Sequence, residues 1–194
     1  ISSSLFKLSS SLKYLYNNRL EDNVFYGFIS PKFFKKTGVS PNGLQKVIQN
    51  SENFDALLFS HCWDQLAYFT NTFEQGEVFH QGLAFEMQKF VNFIGLDVNL
   101  KSFITSSTSS CFSNYVIAKK EYWEQWQEIA VKFLLYSELS EVGLKNKRTN
   151  YKGKKVNLSV FMQERLNSLI LAQNRFRIKS VMKRKITSGM FEKS

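Results

Sequence analysis

The stretch Phe54-Asp55-Ala56-Leu57-Leu58-Phe59-Ser60 decides the fold class of this chain. A short apolar run of this kind is typical of a buried β-strand. A helix is predicted to follow it directly, at residues 63–73. Strands that alternate with helices are typical of α/β proteins, so the chain is predicted to belong to that class.

The rest of the chain extends this alternation. Two more strands are predicted at residues 24–29 and 112–118, because both are rich in β-branched and aromatic residues. Helices are predicted at residues 11–20, 41–50 (with Ser40 as N-cap), 81–94, 121–137 and 156–177, with a break at Gly76 and a basic loop at 145–155. Since three strands are few for an open sheet, we expect a helix-rich α/β fold whose small sheet is either complete or part of a larger one.

Length and composition set the domain organisation. The chain has 194 residues, of which 43% are hydrophobic, enough to bury a core. We expect one α/β domain over residues 1–178, either complete or the C-terminal part of a larger domain, and a basic tail over 179–194. Cys62 and Cys111 stand far apart, which excludes a disulfide scaffold and a cysteine zinc site and indicates a reducing compartment. No apolar run reaches the ~20 residues of a membrane-spanning helix.

Positive charge is concentrated at the C-terminal end. Residues 145–194 carry fourteen Lys or Arg against two acids, whereas residues 1–144 carry twelve against fourteen. Net charge governs partners more than fold, so this end is predicted to meet an anionic partner. The alternatives are that this end binds a membrane surface, that it binds nucleic acid, or that its two basic stretches are only solvated. The tail residues Lys183, Arg184 and Lys185 are the strongest candidates for a membrane or anion contact.

The densest polar cluster lies at residues 74–82, where two carboxylates, a histidine and two glycines fall together. A carboxylate or a neutral imidazole can take a proton from an attacking hydroxyl, so Glu77 and His80 are candidate acid/base residues, and Gln75 is a candidate substrate contact. The structural alternative is a capped helix junction, with Glu77 in a first turn and His80 at the surface.

Two further clusters follow the predicted strands. Asp64 belongs to the run Ser60-His61-Cys62-Trp63-Asp64-Gln65, and ligands of α/β proteins bind beyond the carboxyl ends of strands. The alternative is that Asp64 caps a helix. Asn114 falls in a predicted strand, where Asn is unfavourable. Because a buried amide must be paired, Asn114 either connects loops or meets a polar ligand.

Three spaced groups of residues carry a resemblance to a known family. They are Tyr26-Gly27-Phe28-Ile29-Ser30-Pro31-Lys32-Phe33 with Lys36-Thr37-Gly38, then Glu74-Gln75-Gly76-Glu77 with His80 and Gly82-Leu83, then Asn114-Tyr115 with Ala118-Lys119 and Tyr122-Trp123. Over roughly residues 24–170 the chain resembles bacterial surface-polysaccharide glycosyltransferase-like proteins, the capsule and lipopolysaccharide assembly proteins of the nucleotide-diphospho-sugar transferase type.

This resemblance implies a GT-A-like fold and transfer of a sugar from a nucleotide-sugar donor to a growing glycan acceptor. It implies Glu77 or His80 as the acid/base residue, Asn114 as a substrate contact and Lys119 as a partner of the diphosphate. Asp64 and Gln75 complete the expected substrate contacts.

One departure from the family is plain, because the chain has no Asp-x-Asp metal motif. Glu21-Asp22 and Asp97-Val98-Asn99 are poor substitutes, so no metal ligands are predicted. Either a divalent metal (Mg²⁺ or Mn²⁺) is held by a part outside this chain, or the enzyme is metal-independent, or the protein is a non-catalytic relative.

The sequence thus predicts a cytoplasmic protein, peripheral at the inner face of the membrane. The expected partners are a nucleotide-sugar donor, a glycan acceptor and an anionic membrane surface. A non-catalytic nucleic-acid-binding or scaffolding protein that uses the basic end is the alternative.

Overall fold

A computed structural model describes residues 3–60, 62–173 and 176–181. The elements in chain order are α1 (Ser3–Asn17), α2 (Phe33–Thr37), α3 (Pro41–Gln49), β1 (Ala56–Leu58), α4 (Trp63–Leu66), α5 (Thr72–Phe79), α6 (Leu83–Phe93), β2 (Val116–Ala118), α7 (Lys120–Glu138), β3 (Arg148–Tyr151), β4 (Lys154–Asn157), α8 (Ser159–Gln163), α9 (Leu166–Gln173) and β5 (Ile178–Ser180). The predicted mixed α/β class, rich in helix and with little sheet, is confirmed.

The strand that decides the fold is central in a three-stranded sheet of order β2-β1-β5. β1 pairs antiparallel with β2 (Leu57 opposite Ile117) and parallel with β5 (Leu57 opposite Lys179). Its three residues are buried, as the apolar sequence predicted. Lys179 thus lies in the sheet, although the sequence assigned it to the basic tail. Residues 182–194 of the predicted tail, with Lys183, Arg184 and Lys185, lie outside the described residues.

Alternate residues of the sheet face two apolar clusters, as the twofold period of a strand requires. Ala56 and Leu58 pack into the larger cluster with α6, α7 and α9. Leu57 packs into the smaller one with Phe33 of α2 and with Ile117, and side chains of α3 cover it. The sheet is therefore a thin layer between a large helical layer and a small one.

The predicted strand at residues 24–29 is wrong. Only Tyr26 forms a bridge, with backbone bonds to Ala118 of 2.8 and 2.9 Å. This segment is instead half-buried, with Phe28 packed against α7 and Phe25 against the smaller cluster. The indole of Trp123 donates to the Tyr26 carbonyl at 3.1 Å, and the Phe28 ring packs edge-on against it with 4.7 Å between centroids.

Helices with clear end signals are confirmed. Ser40 caps α3 by accepting from the Gly43 amide at 3.0 Å, and Pro41 is its first residue. α6 ends just before Gly95, whose φ of 74° needs glycine. α7 buries the predicted stripe that includes Trp123, Trp126 and Phe133.

Two predictions for the segment between β1 and α6 are wrong. The helix predicted at residues 63–73 ends after one turn, because Asn71 starts a new helix by accepting from the amides of Phe73 and Glu74 at 2.9 and 2.8 Å. Gly76 does not interrupt a helix, since it lies inside α5. Local capping by Asn71 thus replaces one predicted long helix with two short ones.

The C-terminal third also differs from the prediction. The basic stretch expected to be a loop forms the β3–β4 hairpin, in which Thr149 is buried and most other residues are exposed. The predicted helix at 156–177 is divided into α8 and α9, and then the chain enters β5. Arg165 lies at the junction of α8 and α9, where its side chain bonds across to α5.

Candidate binding groove

A groove of about 900 Å³ lies along α5, α6 and the loop at residues 96–101. Two side-chain amides fix its shape. Asn71 donates to the carbonyls of Leu100 and Phe103 at 3.0 and 2.6 Å, which ties the loop to the start of α5. Gln88 donates to the Val98 carbonyl at 2.9 Å and accepts from the Leu100 amide at 2.8 Å, which ties the same loop to α6.

The lining of the groove combines acids, amides and an aromatic ring. It includes Glu74, Glu77, Phe85, Asn92, Asp97, Asn99 and Lys101. Three of these are carboxylates and only Lys101 is a cation, so the groove is acidic. The Phe85 side chain is 67% exposed, a large apolar surface next to charged groups. The groove is therefore suited to a ligand with both hydroxyl groups and an apolar face.

Glu77 lines the groove, but its carboxylate is already in use. One oxygen accepts from the Gly82 amide and the other from the Ala84 amide, both at 2.8 Å. These amides belong to the start of α6, where unpaired N–H groups attract a negative charge. The capped helix junction expected as the structural alternative is thus present, built from the C-terminal half of α5.

Glu74 is similarly held. One of its carboxylate oxygens accepts from the amide and the hydroxyl of Thr70, at 2.7 and 2.6 Å. These hydrogen bonds lower the pKa of Glu74, so it is ionised at neutral pH. The fixed negative charge contributes to the acidic character of the groove.

His80 is buried rather than exposed, with 6% of its surface accessible. Its ring stacks on Phe161 of α8, with 3.5 Å between centroids and 15° between planes. Burial, followed by the nearby positive charge of Arg165, lowers the pKa of His80 to about 4. The imidazole is therefore neutral at pH 7, and it is not among the residues that line the groove.

Behind His80, Arg165 is buried and joins α5 to α8. Its guanidinium donates to the carbonyls of Thr72 and Phe161 at 2.8 and 2.7 Å and to the Gln75 side-chain oxygen at 2.8 Å. Gln75 in turn donates to Gln65 at 3.2 Å. Burial lowers the pKa of Arg165 to about 10, which still leaves it charged at neutral pH. Gln75 therefore acts as a partner of Arg165 rather than as a lining residue of the groove.

The glycine at position 76 is explained by the same arginine. A Cβ atom there would lie 2.5 Å from the Arg165 Nε and 2.8 Å from a methyl group of Leu83. Such distances are far below van der Waals contact, so only glycine lets α5 approach α8 and α6 this closely.

The other predicted substrate contacts lie elsewhere. Asp64, in α4, accepts from the Gln65 side chain at 3.2 Å. Asn114 has a left-handed φ of 53° just before β2, and its side-chain oxygen accepts from Asn167 of α9 at 2.6 Å. Asn167 accepts from the buried hydroxyl of Tyr122. The expected pairing of Asn114 thus connects a loop to two helices. His61, which precedes α4, lies outside the described residues.

Lys119, the expected diphosphate partner, is buried at the opposite end of β2. Its ammonium donates to the Glu52 carbonyl at 2.7 Å and lies 5.5 Å from the centre of the Phe25 ring. Nearby, Asp55 forms a two-pronged ion pair with Arg177 at 2.7 and 3.1 Å, which lowers the pKa of Asp55. Lys119 therefore binds the segment that follows α3.

Of the two predicted catalytic and four predicted substrate-binding residues, the groove contains only Glu77. Sequence patterns did not point to Phe85, Asn92 or Arg165. They indicated Asp97-Val98-Asn99 only as a poor substitute for a metal motif. A signal for the groove does exist, because Asp97-Val98-Asn99-Leu100-Lys101 is polar and directly follows the C-cap Gly95. No signal pointed to Arg165, since its neighbours are those of an ordinary apolar helix.

Neither a metal centre nor a membrane span appears in the part of the chain that the structure describes. Residues 3–60, 62–173 and 176–181 contain no group of three His, Cys, Asp or Glu side chains that could hold a metal ion. None of their helices combines the length and the apolar character needed to cross a bilayer.

Comparison of the chain with protein-family models, with curated proteins and with solved structures finds no match in any of the three. The function must therefore be argued from the geometry of the groove and from the charges of this chain.

Proposed function

We propose that the groove between α5, α6 and the loop at 96–101 binds a glycan, and that the protein is a glycosyltransferase-like component of bacterial surface-glycan assembly. The observation that carries the proposal is the exposed Phe85 ring beside the carboxylate of Asp97 and the amides of Asn92 and Asn99. Sugar hydroxyls donate to carboxylates and both donate to and accept from amides, and the apolar face of a sugar packs on an aromatic ring.

Two features of the groove favour a neutral, hydroxyl-rich ligand over a phosphate. Glu74, Glu77 and Asp97 outnumber the lining cation Lys101 and Lys89, whose ammonium lies 5.4 Å from the centre of the Phe85 ring, so an anionic ligand would be repelled. The volume of about 900 Å³ also leaves room for more than one sugar ring. The acceptor glycan is thus the partner that fits, and a nucleotide-sugar donor would have to approach from the end that carries Lys101.

For the transfer step, Glu77 is the better of the two acid/base candidates. Its carboxylate lies at the groove and is oriented by two backbone amides, whereas His80 is packed behind it on Phe161. A GT-A-like domain, a cytoplasmic location and a peripheral position at the membrane belong to the same proposal. A divalent metal would have to be bound together with the donor.

The test is calorimetric titration of neutral oligosaccharides into wild-type protein and two groove variants. We expect Phe85→Ala to weaken binding about fivefold to tenfold, the value of a lost aromatic contact. Asp97→Asn should weaken it about tenfold or more, because a charged hydrogen bond is lost. Phe93→Ala is the matched control, since Phe93 is on the same helix and 51% exposed but does not line the groove.

If no oligosaccharide binds, or if the control weakens binding as much as Phe85→Ala, the groove is not a glycan site. The transfer step has its own readout. A nucleotide-sugar at a hundred times its dissociation constant, with or without Mg²⁺ or Mn²⁺, should stabilise the protein by ~2.7 kcal/mol. Glycan binding without stabilisation by any donor would identify a binding protein and refute the transferase.

A further inference from the structure

The β3–β4 hairpin presents a rigid cluster of lysines. Its strands pair from Arg148 opposite Asn157 to Tyr151 opposite Lys154. They are joined by the two-residue turn Lys152-Gly153, in which both residues have left-handed φ angles, 49° and 74°. Such a turn matches the twist of a two-stranded ribbon and fixes the hairpin tightly.

The base of the hairpin is anchored to the body. Thr149 is buried, and the Tyr151 ring packs on Phe161 with 5.2 Å between centroids. The Asn157 side chain donates to the Lys145 carbonyl at 2.7 Å. The Leu158 amide donates to the Lys147 carbonyl at 3.0 Å. The tip is therefore held in one orientation relative to α8.

The cations of this region divide into two groups. Lys145 and Lys147 form ion pairs with Glu138 and Glu86, both at 2.5 Å. In contrast, Lys152, Lys154 and Lys155 are exposed, and no carboxylate among the described residues lies within ion-pair distance of them. Residues 148–157 contain no Asp or Glu at all. Three lysines without a carboxylate partner among the described residues thus lie at one end of the hairpin, and the Lys152 ammonium is 5.6 Å from the centre of the Tyr151 ring.

The chemistry of the tip favours a lipid surface over nucleic acid. Single-stranded nucleic acid is bound by stacking bases on aromatic rings, but the hairpin has one ring, Tyr151. It packs on Phe161 and His80 and lies near the Lys152 ammonium, which leaves Tyr151 45% exposed. The three free cations are lysines, which act as point charges and lack the bidentate fork of arginine. Lysines on a projecting tip suit a flat, negatively charged surface.

We propose that Lys152, Lys154 and Lys155 of the β3–β4 hairpin dock the protein on an anionic lipid bilayer. This proposal rests on the peripheral membrane position in the proposed function and assigns it to a site in the folded domain. An anionic leaflet attracts each nearby lysine enough to raise partitioning about fivefold. Docking by this tip would leave the acidic groove, which such a surface repels, free for a glycan.

The experiment measures sedimentation of the full chain with vesicles of equimolar phosphatidylglycerol and phosphatidylcholine, and with pure phosphatidylcholine. The variant Lys152→Gln/Lys154→Gln/Lys155→Gln should bind anionic vesicles on the order of 100-fold more weakly than wild type. The matched control, Lys13→Gln/Lys32→Gln/Lys35→Gln, removes three exposed charges elsewhere and should change binding less than about threefold. Melting curves establish that both variants fold.

Three outcomes would overturn the proposal. The wild type could fail to bind anionic vesicles, or the two triple variants could lose binding equally, which would make net charge alone responsible. At the same salt concentration, the protein could bind single-stranded RNA more tightly than vesicles through these lysines, which would identify nucleic acid as the partner. Oligosaccharide titration of the hairpin variant separates this test from that of the groove, because glycan binding should be unchanged.

Discussion

The C-terminal third uses the same kind of residue in two opposite ways, in a buried junction and in an exposed hairpin. In the junction, Arg165 is 3% exposed and its three hydrogen bonds hold α5 to α8. In the hairpin, Lys152, Lys154 and Lys155 are exposed and bind no described carboxylate. A charge count from the sequence treats these cations alike. Only those in the hairpin are available to an anionic partner, whereas Arg165 is part of the scaffold of the groove.

The largest expected effect comes from removing the cation of the junction. Arg165→Met should lower the free energy of unfolding by about 3 kcal/mol or more, because the carbonyls of Thr72 and Phe161 and the Gln75 side chain each lose a buried partner. Urea denaturation measures this change.

Lys155→Met in the hairpin is the control for that variant and should stay within about 0.5 kcal/mol of wild type. If the two substitutions had equal effects, the contrast between junction and hairpin would be wrong. Arg165→Lys is a further test of this contrast. One ammonium cannot reproduce the planar guanidinium with its several donors, so this variant should recover only part of the stability lost in Arg165→Met.

A smaller effect is expected from acid, through His80. Its pKa is about 4 in the folded protein against 6.5 ordinarily, so the unfolded chain binds more protons between these values. Stability is therefore constant above about pH 7 and falls as the pH drops through 6.5 towards 4. The loss should reach about 2 kcal/mol at pH 5.

His80→Phe keeps a ring stacked on Phe161 but cannot titrate. Between pH 7.5 and pH 5, the free energy of unfolding of this variant should fall by about 2 kcal/mol less than that of wild type, as measured by urea denaturation. Identical pH profiles for the two proteins would contradict the burial of a neutral imidazole. The triple Gln variant of the hairpin keeps His80 and Phe161, so it should keep the wild-type profile.

The smallest effect is expected at the tip of the hairpin. Gly153→Ala places a side chain at a left-handed φ of 74° and should cost about 1 kcal/mol of stability. Thermal unfolding measures it. Glycan affinity should not change, because the hairpin does not line the groove. A neutral substitution would show that the turn does not hold the conformation described.

Sequence patterns predicted the elements whose signals are local. α3 has its cap at Ser40 and its proline, α7 has a clear apolar stripe, and β1 is a short apolar run. The prediction was wrong where distant partners decide. Residues 24–29 have strand propensity, but only Tyr26 bridges to the sheet, while Phe28 packs on α7 and Phe25 on the smaller cluster.

For the site, sequence patterns indicated a segment that contributes to the groove, and the structure adds structural contacts to the roles predicted for it. The cluster at 74–82 does contribute Glu74 and Glu77 to a groove. Its densest chemistry, however, serves structure: Glu77 caps α6, Gln75 binds Arg165, and Gly76 makes room for that arginine. Residue types that can catalyse can equally cap and connect, and the difference lies in which partners the fold brings near.

By itself, the sequence determined the mixed α/β class, the buried central strand and the concentration of positive charge in the last fifty residues. Hydrophobic periodicity and capping act between neighbours in the chain, and net charge is a sum that needs no coordinates. The tertiary structure decided which charges are buried and which are free, and it formed the groove from two helices and a loop. Burial and hydrogen bonding depend on contacts between distant residues, such as Arg165 with Thr72, which no local pattern contains.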